Sequence, residues 1–404
     1  MNNIKSAKKT KKRLLFDNIA EQIKHKNALV ITGMRQVGKT TLMRQIFESM
    51  PNEPKLWFDF ENPFDQKIFE DIEYRNIYTR LEQMANIRNK RLYIFIDEIQ
   101  NFPEITKIIK YLTDHYQVKF FVTGSSNFYL KNLFPESLSG RKFLYNLNPL
   151  NFKEYLYFQN KISREEAQEI SLKKSLDKNN IFIYKKLELD YENYIQFGGF
   201  PEVILTYDVK TKEQILKNIF TSFFEKDLKI LSDYKDIREI RDLILLLAPR
   251  VGSTLDISKI ASELGVNRVK IYNYLEFLQG TFLIYLLPKF SRSIDRTVAS
   301  GKKVYFTDTG LLNMISKISE AQVLENAVLN QLLSYGNLSF YNKKNTAEID
   351  AILNKEIALE IKTQGTEKDY KKLKNITNSL KIKKQYIISK TFVNKKNFIA
   401  ALNL

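Results

Sequence analysis

ALVITGMRQVGKTTLMRQIF, Ala28–Phe47, sets Gly33, four residues, then Gly38, Lys39 and Thr40 directly between an apolar strand and a helical run. The chemistry of phosphate binding requires that placement. Glycines let the loop turn its backbone N–H groups inward, and the helix that follows presents the positive end of its dipole. Lys39 can then reach the β- and γ-phosphates of a nucleotide while Thr40 offers an oxygen to Mg²⁺. The segment Gly33, Met34, Arg35, Gln36, Val37, Gly38, Lys39, Thr40 and Thr41 is the expected nucleotide-binding loop, with ATP and Mg²⁺ as cofactors.

A second apolar strand, in RLYIFIDEIQ, ends on adjacent carboxylates. Asp97 is expected to ligate Mg²⁺, directly or through water, and Glu98 to polarise the attacking water. The next strand ends in VTGSSN, where Ser125, Ser126 or Asn127 either senses the γ-phosphate or caps the following helix, with Ser125 the candidate beside the strand. Arg141, in SLSGRKF, is the candidate sensing or transition-state arginine, acting in its own chain or on a neighbour; Arg35 in the loop competes for that part. Apolar runs at residues 28–32, 55–60, 91–96 and 118–123 alternate with helical or turn-rich sequence. That alternation predicts an α/β fold whose parallel sheet is covered by helices on both faces.

Composition narrows the chemistry further. A chain of 404 residues is long enough for several domains. With no cysteine and only His25 and His115, disulfides, thiolate metal sites and thiol nucleophiles are excluded, and any metal is expected to sit on carboxylates. The net charge of +18 points to an anionic partner, nucleic acid first, although a lysine-rich genome produces the same bias. KKTKKR at residues 8–13 reads as a backbone-binding arm or a solvated terminus. The longest apolar runs, Leu243–Ala248 and Phe282–Leu287, fall far short of the ~18 residues of a membrane span, and the basic start lacks a signal-peptide core. A cytoplasmic protein without a membrane partner is expected.

Residues 151–231 read as helical, with a polar stretch, KISREEAQEISLKKSLDKNN, and a strong turn at GGFPEVI. In LDISKIASELGVNRVKIYNYLEFLQ, apolar Ile257, Ile260, Ala261 and Leu264 precede a Gly-Val-Asn turn. A second helix then carries Val269, Tyr272, Leu275 and Leu278 on its apolar side, followed by the strand-like FLIYLL. This is the outline of a winged helix, with Arg268, Lys270 and Asn273 on the exposed side as nucleic-acid contacts or, alternatively, a module for interdomain packing.

Near the C-terminus, TAEIDAILNKEIALEIKT reads as a hairpin. A three-residue loop, Asn354–Glu356, pairs Leu353 with Ile357 and makes one face wholly apolar, while Asp350 opposes Glu360 and Glu348 opposes Lys362 on the other. A two-residue loop would mix acids with core residues, so burial selects the first register. The geometry is that of a PD-(D/E)XK nuclease, with Asp350 and Glu360 holding Mg²⁺, Lys362 activating water and Glu325 on the preceding helix completing the metal set.

GMRQVGKTTL, FIDEIQ, VTGSS, SGRKFLYNLNPLNFKEYL, GGFPEV and KVYFTDTGLL occur in an order that resembles a large family of archaeal and bacterial AAA-type ATPases related to the signal-transduction ATPases. In that family the ATPase is fused to a winged helix and a domain resembling restriction endonucleases. The resemblance spans the chain and implies an ATPase core over 1–150, a helical lid over 151–235, a winged helix over 236–312 and a nuclease-like domain over 313–404. It implies ATP hydrolysis most strongly. A nucleic-acid partner, DNA rather than RNA, and a homo-oligomer are the corresponding expectations. An ATP-controlled switch with an inactive nuclease-like domain is the alternative.

Overall fold

The computed structural model describes residues 10–87, 90–125, 140–177, 180–228, 234–291, 301–343 and 346–404. Ser126 and Asn127 lie outside them, as do Lys8 and Lys9. The chain divides into two compact units: Met1–Asn148 with the short Gly280–Phe282 segment, and Pro149–Gln279 with Leu283–Leu404.

The first unit is built on a wholly parallel sheet of β1 (Ala28–Thr32), β2 (Lys55–Asp59), β3 (Tyr93–Asp97), β4 (Lys119–Gly124) and β5 (Lys142–Asn146). Its order is β2-β3-β4-β1-β5. The central strands β1, β3 and β4 are buried at every position, as strands covered on both faces must be. Their carboxyl ends share one edge, where ligands bind in open α/β sheets. The fifth strand adds to the four read from sequence. At the opposite edge the ammonium of Lys119, buried completely, donates to the carbonyls of Gln22, His25 and Asn27 at 3.1, 2.8 and 2.5 Å.

The second unit begins with helices, the longest early one being Ile181–Phe197. Gly199 lies where a Cβ would come within 2.1 Å of the Leu150 carbonyl oxygen, so only glycine fits. Its N–H donates at 2.7 Å to Asp308, which also caps the helix Thr309–Ile315. The helices Tyr234–Leu247, Ile257–Leu264 and Arg268–Gly280 precede an antiparallel pair, β6 (Ile284–Pro288) and β7 (Lys302–Phe306).

A mixed sheet closes the chain in the order β12-β11-β10-β9-β8: β8 (Leu338–Lys343), β9 (Ala347–Leu353), β10 (Ile357–Lys362), β11 (Lys384–Ser389) and β12 (Phe398–Ala400). Leu353 pairs with Ile357 and Ala351 with Leu359, the register that burial demands. Asn354 and Lys355 in the loop take positive φ, 50° and 62°. Between β10 and β11 lies the helix Glu367–Leu380, opened by a capping box of Thr366 and Asp369 and burying Leu373 and Thr377.

The helix Glu320–Leu332 joins this sheet to β7. Asn326, fully buried, accepts from the Phe306 N–H and donates to the Phe306 carbonyl, both at 2.8 Å. One amide thus satisfies both backbone groups of a strand end. Asn326→Ala leaves the Phe306 N–H unpaired in a dry interior, while the Phe306 carbonyl keeps its bond from Asn330 at 3.0 Å, and is expected to cost about 1–3 kcal/mol. A urea-midpoint comparison with wild type checks this; a loss below about 1 kcal/mol refutes it.

Candidate functional site

The loop after β1 holds a shape that few residues can adopt. Gly33 has φ 152°, and a Cβ there would lie 2.1 Å from the Leu147 carbonyl oxygen. Gly38, at φ 95°, caps the helix Lys39–Glu48. Lys39 is only 5% exposed, and its ammonium donates to the carbonyls of Gly33 and Met34 at 2.9 and 3.0 Å. The lysine is therefore already turned over the loop. Arg35 and Thr40 are half-buried, Met34 and Val37 buried, Gln36 and Thr41 exposed.

A residue that sequence reading missed braces this loop. Arg13, 6% exposed, donates to the Val37 carbonyl at 3.0 Å and to the Asn148 carbonyl at 2.9 Å. Gln45 donates to the Thr10 hydroxyl and to the carbonyls of Thr10 and Lys11. The described end of KKTKKR is thus a structural strut, neither a free arm nor a frayed terminus. No local pattern separates Arg13 from the lysines beside it; only the path of the chain does.

Asp97 and Glu98 close β3 at the same sheet edge as the loop. Thr123 of β4 donates to the Asp97 carboxylate and accepts the Glu98 N–H at 3.2 Å. Glu98 takes a left-handed backbone, φ 53°, that turns it out of the strand. Gln100 donates to the Glu98 carboxylate and to the Ser125 hydroxyl, the latter at 3.2 Å. Thr123 and Gln100 therefore orient the acidic pair, and both lay unread in VTG and DEIQ. Thr40 and Asp97 offer the hard oxygen donors that Mg²⁺ takes. Two buried polar atoms at this edge, Thr32 Oγ1 and Gln100 Oε1, have no partner, so the edge has hydrogen-bonding capacity to spare.

Arg141 is not brought to this edge. Its carbonyl accepts from Ala28 N–H at the start of β1, and its guanidinium lies 2.9 Å from Asp114. A five-residue strand, roughly 15 Å, separates it from its own loop. It cannot reach the phosphates there.

In the second unit Asp350 and Glu360 lie side by side on β9 and β10, 9% and 8% exposed. The Lys362 ammonium is 2.7 Å from Glu360 Oε1, 3.8 Å from Asp350 Oδ2 and 3.2 Å from the Ile361 carbonyl oxygen. It occupies the focus of three oxygens as a bound cation would. The second carboxylate oxygen of Glu360 is buried without a partner, and the donors are hard oxygens, which fits a divalent ion.

Two expected members depart from this picture. Among the described residues no three acidic or histidine side chains cluster as metal ligands. Glu325 instead accepts from the Tyr305 hydroxyl at 2.5 Å and lies 3.6 Å from Lys303. Glu348 pairs with Lys303 at 2.8 Å, where the hairpin register suggested Lys362.

Lys270 departs likewise. Its ammonium sits 2.8 Å from Asp236 and 2.6 Å from Glu239, with the Tyr274 hydroxyl bonded to the same two acids. Those bonds hold its pKa above the ordinary lysine value. Arg268 and Asn273 are exposed, and so are Val269 and Tyr272, at 67% and 53%. The buried face is Ile271, Tyr274, Leu275, Phe277 and Leu278 instead of the stripe beginning at Val269.

Comparison with known proteins follows these sites along the chain. Residues 25–156 match the family model of an AAA domain, and two domains of unknown function match residues 188–322 and 320–400. An uncharacterized protein of Methanocaldococcus jannaschii is 30% identical over 400 residues, which is 95% of this chain and 85% of that one. The chain belongs to that protein's family. An uncharacterized protein of Haemophilus influenzae is 29% identical over 84% of each chain. Among solved structures, the Aeropyrum pernix Orc1 protein in complex with DNA aligns with a TM-score of 0.32 and 11% identity, over 74% of this chain and 91% of that one, a likeness too slight to carry an argument. The family match makes the first unit an AAA-type P-loop ATPase domain.

Two expectations arise from these contacts. Arg13→Ala removes two charge-assisted bonds to loop carbonyls and is expected to cost about 2–3 kcal/mol and to weaken ATP binding. Thermal unfolding with and without nucleotide measures both, and an unchanged melting profile contradicts the strut. Burial, followed by the charge of Asp350, pushes the carboxyls of both Glu360 and Glu325 up to about 7. Folded protein then holds more protons than unfolded protein between the ordinary 4.5 and about 7, so stability falls as pH rises through that window. Glu360→Gln should flatten the decline in urea midpoint between about pH 5 and pH 8; an unaltered slope rejects this origin.

Proposed function

We propose that this AAA-type ATPase requires Mg²⁺ and acts on nucleic acid, DNA rather than RNA, and that its C-terminal sheet cleaves phosphodiesters with metal. The observation that carries the reading is Lys362 at the focus of Asp350, Glu360 and a carbonyl oxygen, in a chain whose residues 25–156 match an AAA domain. On this reading residues 151–235 are a helical lid, 236–312 a winged helix and 313–404 a restriction-endonuclease-like domain.

In the ATPase half, the loop N–H groups and Lys39 bind the phosphates, Thr40 and Asp97 hold Mg²⁺, and Ser125 lies near the γ-phosphate. Glu98 polarises the attacking water, its carboxylate oriented by Gln100. Mg²⁺ held there would supply charge neutralisation for the phosphates. Arg141, at the far sheet edge, acts only on a neighbouring copy, which accords with a homo-oligomer. In the nuclease half, Asp350 and Glu360 hold the ion, and Lys362 positions the water that attacks phosphorus.

The exposed Arg268, Asn273 and Tyr272 supply the helix face that contacts nucleic acid, without Lys270. Lys372, on the helix beginning at Glu367, lies close enough for its charge to act on Glu360 and extends the basic surface toward the carboxylates. No helix among the described residues is long and apolar enough to cross a membrane.

A second reading, an ATP-controlled switch with an inactive C-terminal sheet, draws on one observation: Glu325 is engaged by Tyr305 and Lys303 instead of joining a set of three acids. The experiment that separates the two incubates wild type with DNA and Mg²⁺ or Mn²⁺, with and without ATP. Nicking that disappears in Asp350→Ala and in Lys362→Ala is expected. No nicking of any DNA or RNA substrate refutes the nuclease reading and leaves the switch. Lys39→Ala should lower ATP turnover at least a hundredfold, and turnover that survives it refutes the nucleotide site.

A further inference from the structure

Strand β7 carries two side chains toward the carboxylates of the following sheet. Lys303 and Tyr305 are two residues apart and so share one face of the strand, while Val304 and Phe306 point the other way, both fully buried. Lys303 is 3% exposed; its ammonium lies 2.8 Å from Glu348 and 3.6 Å from Glu325, over the Phe340 ring at 5.4 Å. Gly252 leaves space on the other side: a Cβ there would lie 3.0 Å from a Glu325 carboxylate oxygen.

A lysine so deeply buried is tolerated only because acids face it. Its neighbours make the reason specific. Glu325, Glu348, Asp350 and Glu360 are four carboxylates; Lys303 and Lys362 are two ammonium groups, one on each side. Fully ionised, the group carries a formal charge of minus two, the charge one divalent cation cancels. Lys303 holds Glu325 and Glu348, the acids a second ion would need, and the unpartnered oxygen belongs to Glu360, whose other oxygen Lys362 holds.

We infer that Lys303 is the resident counter-cation of this centre and limits it to a single divalent ion, held on the Asp350–Glu360 side. The inference rests on the reading above that Asp350 and Glu360 hold metal. Lys303 is a positioning residue, since it fixes Glu325 and Glu348 without touching substrate.

The test is Mn²⁺ binding to the full chain without nucleotide, followed by electron paramagnetic resonance and calorimetry, in wild type, Asp350→Asn, Lys303→Met, Lys303→Gln and Lys303→Arg. The expected result is one ion per chain in wild type and in Lys303→Arg, and none in Asp350→Asn. In Lys303→Met and Lys303→Gln a second ion, or at least tenfold tighter binding of the first, is expected because a positive charge has left a poorly screened site. Glutamine keeps a hydrogen bond to Glu348, so it reports on charge even if methionine prevents folding. Two ions in wild type, or neutral variants that fold and bind as wild type does, overturn the inference while leaving the metal reading intact. No binding in wild type, or binding that survives Asp350→Asn, overturns the metal reading itself.

Discussion

A charge removed from water must meet either an opposite charge or a fan of aligned dipoles, and this lysine-rich chain meets that demand at each functional position. Lys39 rests on two loop carbonyls, Arg13 on two more, and Lys119 on three at the far edge of the sheet. In the second unit the solutions are ionic: Lys270 between two acids, Lys303 between two others, Lys362 against a third pair. The first kind of solution sets a cation against neutral partners, which at Lys39 are the carbonyls of the loop itself. The second locks it in place.

That difference tracks what was legible in the sequence. The placement of Lys39, Asp97 and Glu98 could be read because it depends on local order: strand, loop, helix, and the carboxyl end of a neighbouring strand. The hairpin register was legible as well, since a period of two and a buried face admit only one solution for Leu353 and Ile357. Lys270 was misread for the opposite reason. Helical spacing showed it between apolar positions, but not that Asp236 and Glu239, over thirty residues earlier, come to meet it.

Arg141 lies away from its own phosphate loop for a reason that the sequence contained. KFLYN after it is a five-residue edge strand with incomplete burial, and its short run of Phe143, Leu144 and Tyr145 was there to be read. Once that strand is parallel to β1, the residue before it must lie at the amino end, away from the phosphate loop. Glu325 and Glu348 illustrate the converse. Their positions on helix and strand were anticipated, yet their partners came from β7, in a segment whose sequence, KVYF, looks like an ordinary buried strand.

The bond from Asn326 to both backbone groups of Phe306 bears on how this chain can be divided. Family models place a seam near residue 320, between two domains. Physical continuity ignores it: β7 lies before the seam, while the amide that terminates it and the acids that neutralise its lysine lie after. A fragment starting at the seam would retain two carboxylates, Glu325 and Glu348, deprived of their lysine and a buried amide without the Phe306 groups it bonds. An excised C-terminal piece, or a graft of this piece onto a foreign ATPase, keeps these contacts only if it carries the chain from Lys302 onward.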